Sequence, residues 1–397
     1  MSIVVQKYGG SSVATPERIK KVAQSVIDKK KQGNDVVVVI SAMGDTTDEL
    51  IDLAKKITDH PDKRELDALL ATGEMVSSSL LAMAIKSEGY DAISMNAFQI
   101  ELLTDGTHGK SLIEDINEEA ILSRLSEGKI VVVAGFQGIS MEGDITTLGR
   151  GGSDTSAVAI AVKLNGICEI YTDVDGIYSV DPRLYKEAKK IDEISYEEML
   201  ELSSLGAQVM HSRSVELAQK YGIPIYVGLS CSDIKGTYIK GVEEVENKPI
   251  TGIAVSDSDV AITLRNIEFD TNLLSDIFEA VASKKINVDM ISQTAPINDL
   301  VNISFTIPKD DLRECLSVIK PFYTKEDIII DEDITKFSVV GIGMKTTSGV
   351  ASKIFKIFKQ NDIEVKMITT SEIRITCAIK QEDKLKAVNL VAREFGL

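Results

Sequence analysis

The chain has 397 residues, room for two or three domains at about 150 residues each. Its 44 Lys and Arg against 61 Asp and Glu leave a net charge of −17, which is unsuited to gripping a nucleic-acid backbone. Four separated cysteines and three unclustered histidines argue against a zinc site or a disulfide framework. The N-terminus lacks a basic-then-apolar leader, and no run approaches the ~18 apolar residues of a membrane helix, so a cytoplasmic protein with no membrane partner is expected.

Up to about residue 230 the chain reads as strand, glycine turn and helix, repeated. Residues 3–6 form an apolar strand, and 16–30 a helix with Thr15 as N-cap and Pro16 at its first position. The run VVVVI at 36–40 is continuously β-branched, as a parallel strand buried on both faces would be. A long helical stretch over 66–87 is broken at Thr72-Gly73-Glu74. Further strands are expected at 129–134, 168–172 and 223–227, with helices at 155–164 and 212–220. This alternation predicts an α/β domain, three-layered and with a mostly parallel sheet, over residues 1–246.

From about residue 250 the texture changes. Residues 243–248 are polar and run into Pro249, as a linker would. Beyond them INVDMIS at Ile286 and IEVKMIT at Ile363 stand 77 residues apart, as do Val260 and Phe337. Each copy reads as strand, loop, helix, strand, so two ferredoxin-like βαββαβ units are expected, at 250–334 and 335–397. They carry no nucleophile, metal cluster or cofactor motif, which points to a second function.

Two glycine turns carry the chemistry of the first domain. Lys7-Tyr8-Gly9-Gly10-Ser11-Ser12 follows the first strand, where bare backbone can approach an anion and Lys7 can reach a transferring phosphoryl group. A tight turn with a surface lysine is the plainer alternative, and no GxxxxGK[ST] is present. Leu148-Gly149-Arg150-Gly151-Gly152-Ser153-Asp154 opens a helix; the Arg150 fork suits a carboxylate, and Asp154 either orients Lys7 or caps the helix. Glu74, in an apolar helix start, needs a partner, either a substrate ammonium or a structural cation. Ser41 and Thr47 lie at the carboxyl edge of the VVVVI strand, where such sheets bind ligands. Thr172, Asp173, Tyr178, Asp181 and Arg183 follow another strand and suit a nucleotide pocket. Gly341-Ile342-Gly343 imitates the start of a dinucleotide fingerprint but lacks its third glycine, and His108 reads as a solvent-exposed loop residue.

KYGGSS, SAMGDTTDEL, ATGE, GFQG, TTLGRGGSD and YTDVDGIYSVDPR, in this order, resemble the aspartate kinase family across essentially the whole chain. The resemblance implies the amino-acid-kinase fold with paired ACT domains, ATP and Mg²⁺, and L-aspartate as phosphoryl acceptor. It implies feedback by lysine, threonine or both, and a homodimer or higher oligomer formed through the ACT units. By the same resemblance Lys7, Tyr8, Gly9 and Gly10 hold phosphates, and Ser41, Thr172, Asp173, Tyr178, Asp181 and Arg183 line the nucleotide side. Arg150, Thr47, Glu74, Gly151, Gly152 and Ser153 hold aspartate, and Asp154 organises the reacting centre. Asp270, Asn287, Asp289, Gln293, Ser371 and Glu372 are the candidate effector positions. The family's lysine in a GAK segment is replaced by Gln208. Competing readings are another amino-acid kinase, such as a glutamate 5-kinase, and a non-catalytic amino-acid sensor.

Overall fold

The computed structural model describes residues 2–206, 209–241, 248–323 and 327–397. Gln208 and residues 243–247 of the expected linker lie outside the described residues. The chain folds as two compact units. The first takes in residues up to Ile177, Lys190–Ser204 and 209–241; the second takes in Tyr178–Lys189, 205–206 and the chain from 248 onward.

The first unit is built on an eight-stranded sheet. Its order is Glu193–Ser195, Thr237–Lys240, Ile225–Leu229, Ile167–Thr172, Ile3–Tyr8, Asp35–Ile40, Ile130–Ala134 and Ala92–Met95. Every pairing is parallel except that between Ile225–Leu229 and Thr237–Lys240. The VVVVI strand is buried along its whole length, which its unbroken β-branched sequence requires. Helices Pro16–Lys31 and Thr72–Ser87 cover one face through Val22, Val26, Ile27, Leu81 and Ile85, packed on Tyr8, Val36, Val38 and Ile40. Helix Gly152–Lys163 packs on the sheet and against helix Ser212–Tyr221, completing the αβα layering. Thr15 caps the first helix by accepting from the Arg18 N–H at 3.3 Å, and Pro16 stands at its first turn, as read from sequence.

By average hydropathy the stretch Lys63–Ser87 is long and apolar enough to cross a membrane, which differs from the sequence expectation. It is two helices meeting at Ala71, and Ser77, Ser78, Leu81, Ala82 and Ile85 are buried in the domain. A smaller sheet, Ile113–Asp115, Leu103–Thr104, Gln137–Ile139 and Ile145–Thr147, is built from segments that alternate in sequence with strands of the main one.

The second unit holds two antiparallel four-stranded sheets. One has the order Ile291–Gln293, Leu300–Pro308, Asp259–Glu268, Ile328–Asp331, with helices Thr271–Ser283 and Leu312–Ile319. This is the expected βαββαβ unit. The other has the order Gly252–Ser256, Thr335–Val340, Arg374–Ile379, Val365–Thr370. Its edge strand, Gly252–Ser256, precedes the first unit in the chain, so the boundary expected at 250 is corrected: the first ferredoxin-like unit is inserted into the second. The glycines of Gly341-Ile342-Gly343 have a packing reason, since a Cβ at either would lie within 2.4 Å of the Pro249 or Lys248 carbonyl oxygen. The expectation of an unbroken domain over 1–246 is corrected too. Val180 and Tyr185, from Tyr178–Lys189, belong to the core formed by Phe337, Phe358 and Val388.

Candidate active site

Period-two alternation places Lys7 and Tyr8 on opposite faces of the first strand. Tyr8 is 1 % exposed and stacks on Tyr171 with ring centroids 5.1 Å apart, so its side chain is core and leaves only its backbone for the expected phosphate contact. Lys7 points the other way, and its Nζ lies 2.6 Å from Asp154 Oδ1 in the first turn of helix Gly152–Lys163. Two residues far apart in sequence, each beside a glycine turn, therefore form one ion pair.

The glycines around this pair differ in purpose. A Cβ on Gly9 would meet only Lys7 Nζ, at 3.6 Å, so the space over Gly9 beside the ammonium is open. A Cβ on Gly10 would meet the carbonyl oxygens of Ala42 and Gly44 at 2.8 and 2.9 Å, so Gly10 lets the 42–44 loop cross closely. Gly151 is left-handed at φ 71° and caps the helix that carries Ser153 and Asp154.

Helix Thr72–Ser87 begins against the same loop. Glu74 is 3 % exposed; its Oε1 accepts from the Ala42 N–H at 3.0 Å, while its Oε2 is buried with no partner. Burial outweighs that hydrogen bond and pushes the Glu74 pKa up to about 7. An acceptor held this way is poised for a donor that brings its own charge. Ser41 ends its strand, its N–H bonded to the Tyr8 carbonyl, and Thr47 is half-buried in the first turn of helix Thr46–Ile57. Arg150 is exposed, and among the described residues no carboxylate pairs with it.

Thr172 and Asp173 are in the first unit, where Thr172 Oγ1 donates to the Asp173 carboxylate at 3.0 Å. Tyr178, Asp181 and Arg183 fall on the segment that belongs to the second unit. There Asp181 accepts from the Arg183 guanidinium at 2.7 Å, which lowers its pKa.

Sequence reasoning missed the frame behind Arg150. Asp67, 1 % exposed, accepts from the Gly109 and Thr147 N–H groups and the Thr147 hydroxyl, and lies 2.9 Å from His108 Nδ1. His108 is thus a bonded residue and not a free loop histidine. His211 presses on Gly151, whose added Cβ would lie 2.4 Å from His211 Cβ. Burial lowers the His211 pKa against the pull of Asp154. An aspartate inside an apolar helix repeat was the signal available for Asp67.

In the second unit, Asp270 caps helix Thr271–Ser283 through the Asn272 N–H, and Asn287 and Gln293 are exposed. Asp289 is held by Lys336 Nζ at 2.7 Å, and that buried ammonium also meets Asp259 at 3.0 Å. Ser371 and Glu372 occupy the turn between Val365–Thr370 and Arg374–Ile379, with Lys345 3.7 Å from Glu372.

Comparison with known proteins matches residues 2–228 to the amino acid kinase family, and residues 270–321 and 337–395 to the ACT domain. An aspartokinase from a Bacillus species is 48 % identical over 100 % of this chain and 98 % of its own length. The chain belongs to the aspartokinase family. The solved aspartate kinase of Synechocystis is 39 % identical with a TM-score of 0.56, covering 99 % of this chain and 69 % of that one. E. coli aspartokinase III, solved with aspartate and ADP, has a TM-score of 0.85 at 24 % identity over the whole of both chains. The same E. coli enzyme solved with lysine and aspartate scores 0.79 at 23 %, covering 99 % of each chain. The E. coli likenesses speak for the fold.

Proposed function

We propose that this chain is an aspartate kinase: it moves the γ-phosphoryl group of ATP onto the side-chain carboxylate of L-aspartate. The products are 4-phospho-L-aspartate and ADP, at the head of the lysine, threonine, methionine and diaminopimelate routes. The observation that carries the reading is the Lys7–Asp154 pair between two glycine turns, beside a buried carboxylate with one oxygen unused. The full-length likeness to curated aspartokinases supports it.

The chemistry needs no general base. An aspartate side chain with a pKa of ~3.9 is already the anion at neutral pH. One of its oxygens attacks the γ-phosphorus, the bond to the β,γ-bridging oxygen breaks, and ADP leaves with that electron pair. The protein's task is to hold two anions in line and offset their repulsion. Lys7 supplies positive charge next to the open space over Gly9, and Asp154 holds the Lys7 ammonium in place. Arg150 and Thr47 grip aspartate, with Gly151, Gly152 and Ser153 presenting the helix start. Glu74 Oε2 takes the substrate ammonium, which would satisfy a buried carboxylate oxygen left without a partner. Ser41, Thr172 and Asp173 serve the nucleotide side, with Tyr178, Asp181 and Arg183 following in the same run of chain.

Among the described residues no cluster of three metal-ligating side chains occurs. Mg²⁺ is commonly carried by substrate phosphates with one or two carboxylates, and would supply charge neutralisation to the phosphates there. The ACT units bind an end-product amino acid, lysine or threonine, and join copies into a homodimer or larger assembly. Exposed Ile291, Ile297 and Leu300 on the first ferredoxin-like unit suit such a contact. A cytoplasmic location follows from the substrates. Release of ADP from MgATP, measured with and without L-aspartate, tests the function. Release that ignores aspartate or follows glutamate instead would overturn it.

A further inference from the structure

Arg150 hangs from a backbone with little intrinsic stiffness. Gly149 and Gly151 flank it, both left-handed, at φ 76° and 71°. Glycines at such positions widen the conformations open to a free loop. A guanidinium that binds a carboxylate by two bonds needs its backbone held within a fraction of an ångström. The hold comes from Arg213, in the first turn of helix Ser212–Tyr221. Its Nη1 donates to the Leu148 carbonyl at 2.9 Å, the residue just before the turn. Its Nη2 donates to the Ser111 carbonyl at 2.8 Å. Ser111 in turn donates its N–H to the Thr147 carbonyl at 2.9 Å. One half-buried guanidinium therefore ties the turn's entry to the neighbouring 107–111 loop, which Asp67 anchors from the other side through Gly109 and Thr147. The turn is also closely packed: a Cβ on Gly149 would lie 3.0 Å from the Gly109 carbonyl, and one on Gly151 would enter the His211 ring.

We infer that Arg213 is a positioning residue for the phosphoryl acceptor: it fixes the Leu148 end of the glycine turn so that Arg150 meets the substrate carboxylate. The inference rests on the reading of Arg150 as the aspartate grip. Arg213 donates to the Leu148 and Ser111 backbone carbonyls, with Asp105 and Glu216 as nearby charges. A planar fork serves two carbonyls in fixed directions, whereas a lysine ammonium does not.

The test is steady-state kinetics on the full chain carrying Arg213→Lys or Arg213→Gln, each alone and combined with Arg150→Ala. The Gln variant keeps a donor pair with less bulk, so a folding failure of one variant leaves the other. Either single variant should raise the aspartate KM about tenfold, the scale of one charge-assisted hydrogen bond, with kcat and the ATP KM little changed. In the Arg150→Ala background the same substitution should change the aspartate KM by less than about twofold, because residues acting through one another are not additive. Equal losses for both substrates, unchanged kinetics, or an undiminished effect without Arg150 would each overturn the positioning role. An unchanged aspartate KM in Arg150→Ala alone would instead sink the reading of Arg150.

Discussion

The candidate site of the first unit and the junction of the second unit handle charge in opposite ways. In the site, Glu74 keeps an oxygen without a donor, Arg150 lacks a carboxylate partner among the described residues, and the space over Gly9 is open. At the junction between the two ferredoxin-like units, charged side chains are paired. Lys336 meets Asp259 and Asp289, Lys384 meets Asp257, and Lys366 meets Asp331. An unmatched buried polar group costs on the order of 1–3 kcal/mol, so the site is held ready at a cost that substrate can relieve. The named junction charges are paired, and a ligand that uses one of them must exchange partners. The site is prepared for chemistry, the junction for a change of state.

Lys7→Ala tests the contrast most severely. A cation that stabilises charge developing on the phosphoryl group acts in the transition state, so kcat should fall by about a thousandfold while the aspartate KM moves little. The substitution also strands Asp154, which is only 13 % exposed at its side chain. Lys7→Ala with Asp154→Asn should therefore recover thermal stability without recovering activity. Retained kcat with a raised KM would place Lys7 in ground-state binding.

Arg150→Lys should weaken aspartate by about 1.5–3 kcal/mol, since a point charge replaces a bidentate fork. Titration with aspartate at fixed ATP checks this; weakened ATP with unchanged aspartate would move Arg150 to the nucleotide side.

Glu74 gives a smaller, pH-dependent effect. Its carboxyl titrates at about 7 in the free enzyme, and only the anion can hold an ammonium. Below that pH the substrate must displace a proton, so aspartate affinity should fall by about tenfold per pH unit, equivalent to 1.36 kcal/mol. Above it the affinity should level off. Glu74→Gln should be weak at all pH values and lose the slope between pH 6 and 7; a slope that survives assigns the titration to another group.

Much of the fold was legible because its signals are local. The VVVVI strand, the Thr15 and Pro16 helix start and the 77-residue repeat each state themselves within a few residues. What escaped was non-local. Gly252–Ser256 pairs with Thr335–Val340 across an inserted unit, and nothing in its own sequence names that partner. Val180 and Tyr185 likewise join a core formed by residues far along the chain. At the site, Lys7 and Asp154 were readable from their glycine turns. The Tyr8 side chain is core, as strand alternation opposite Lys7 implies. Asp67 and Arg213 were missed because they hold backbone, and His108 and His211 because they only support those turns, which leaves no motif.

The smallest expected effect concerns the junction. Asp289 was read from sequence as an effector ligand, and the structure finds it already bonded to Lys336. If an effector's ammonium is to use that carboxylate, it must compete with the Lys336 ammonium, which keeps Asp259 as a second partner. Such an exchange changes one tie between the ferredoxin-like units, and effectors act by binding one arrangement better than another. Coupling energies of about 1–3 kcal/mol are usual, so Asp289→Asn should raise the half-inhibiting concentration of lysine or threonine at least about fivefold. Turnover without effector should be unchanged, because Asp289 is remote in role from the site and Lys336 remains paired. The measurement belongs on the full chain: a fragment beginning at 248 lacks Val180 and Tyr185, which the second core buries. Inhibition as strong as in the parent enzyme would leave Asp289 only as a partner of Lys336, and move the effector's ammonium to another of the exposed polar positions, Asn287 or Gln293.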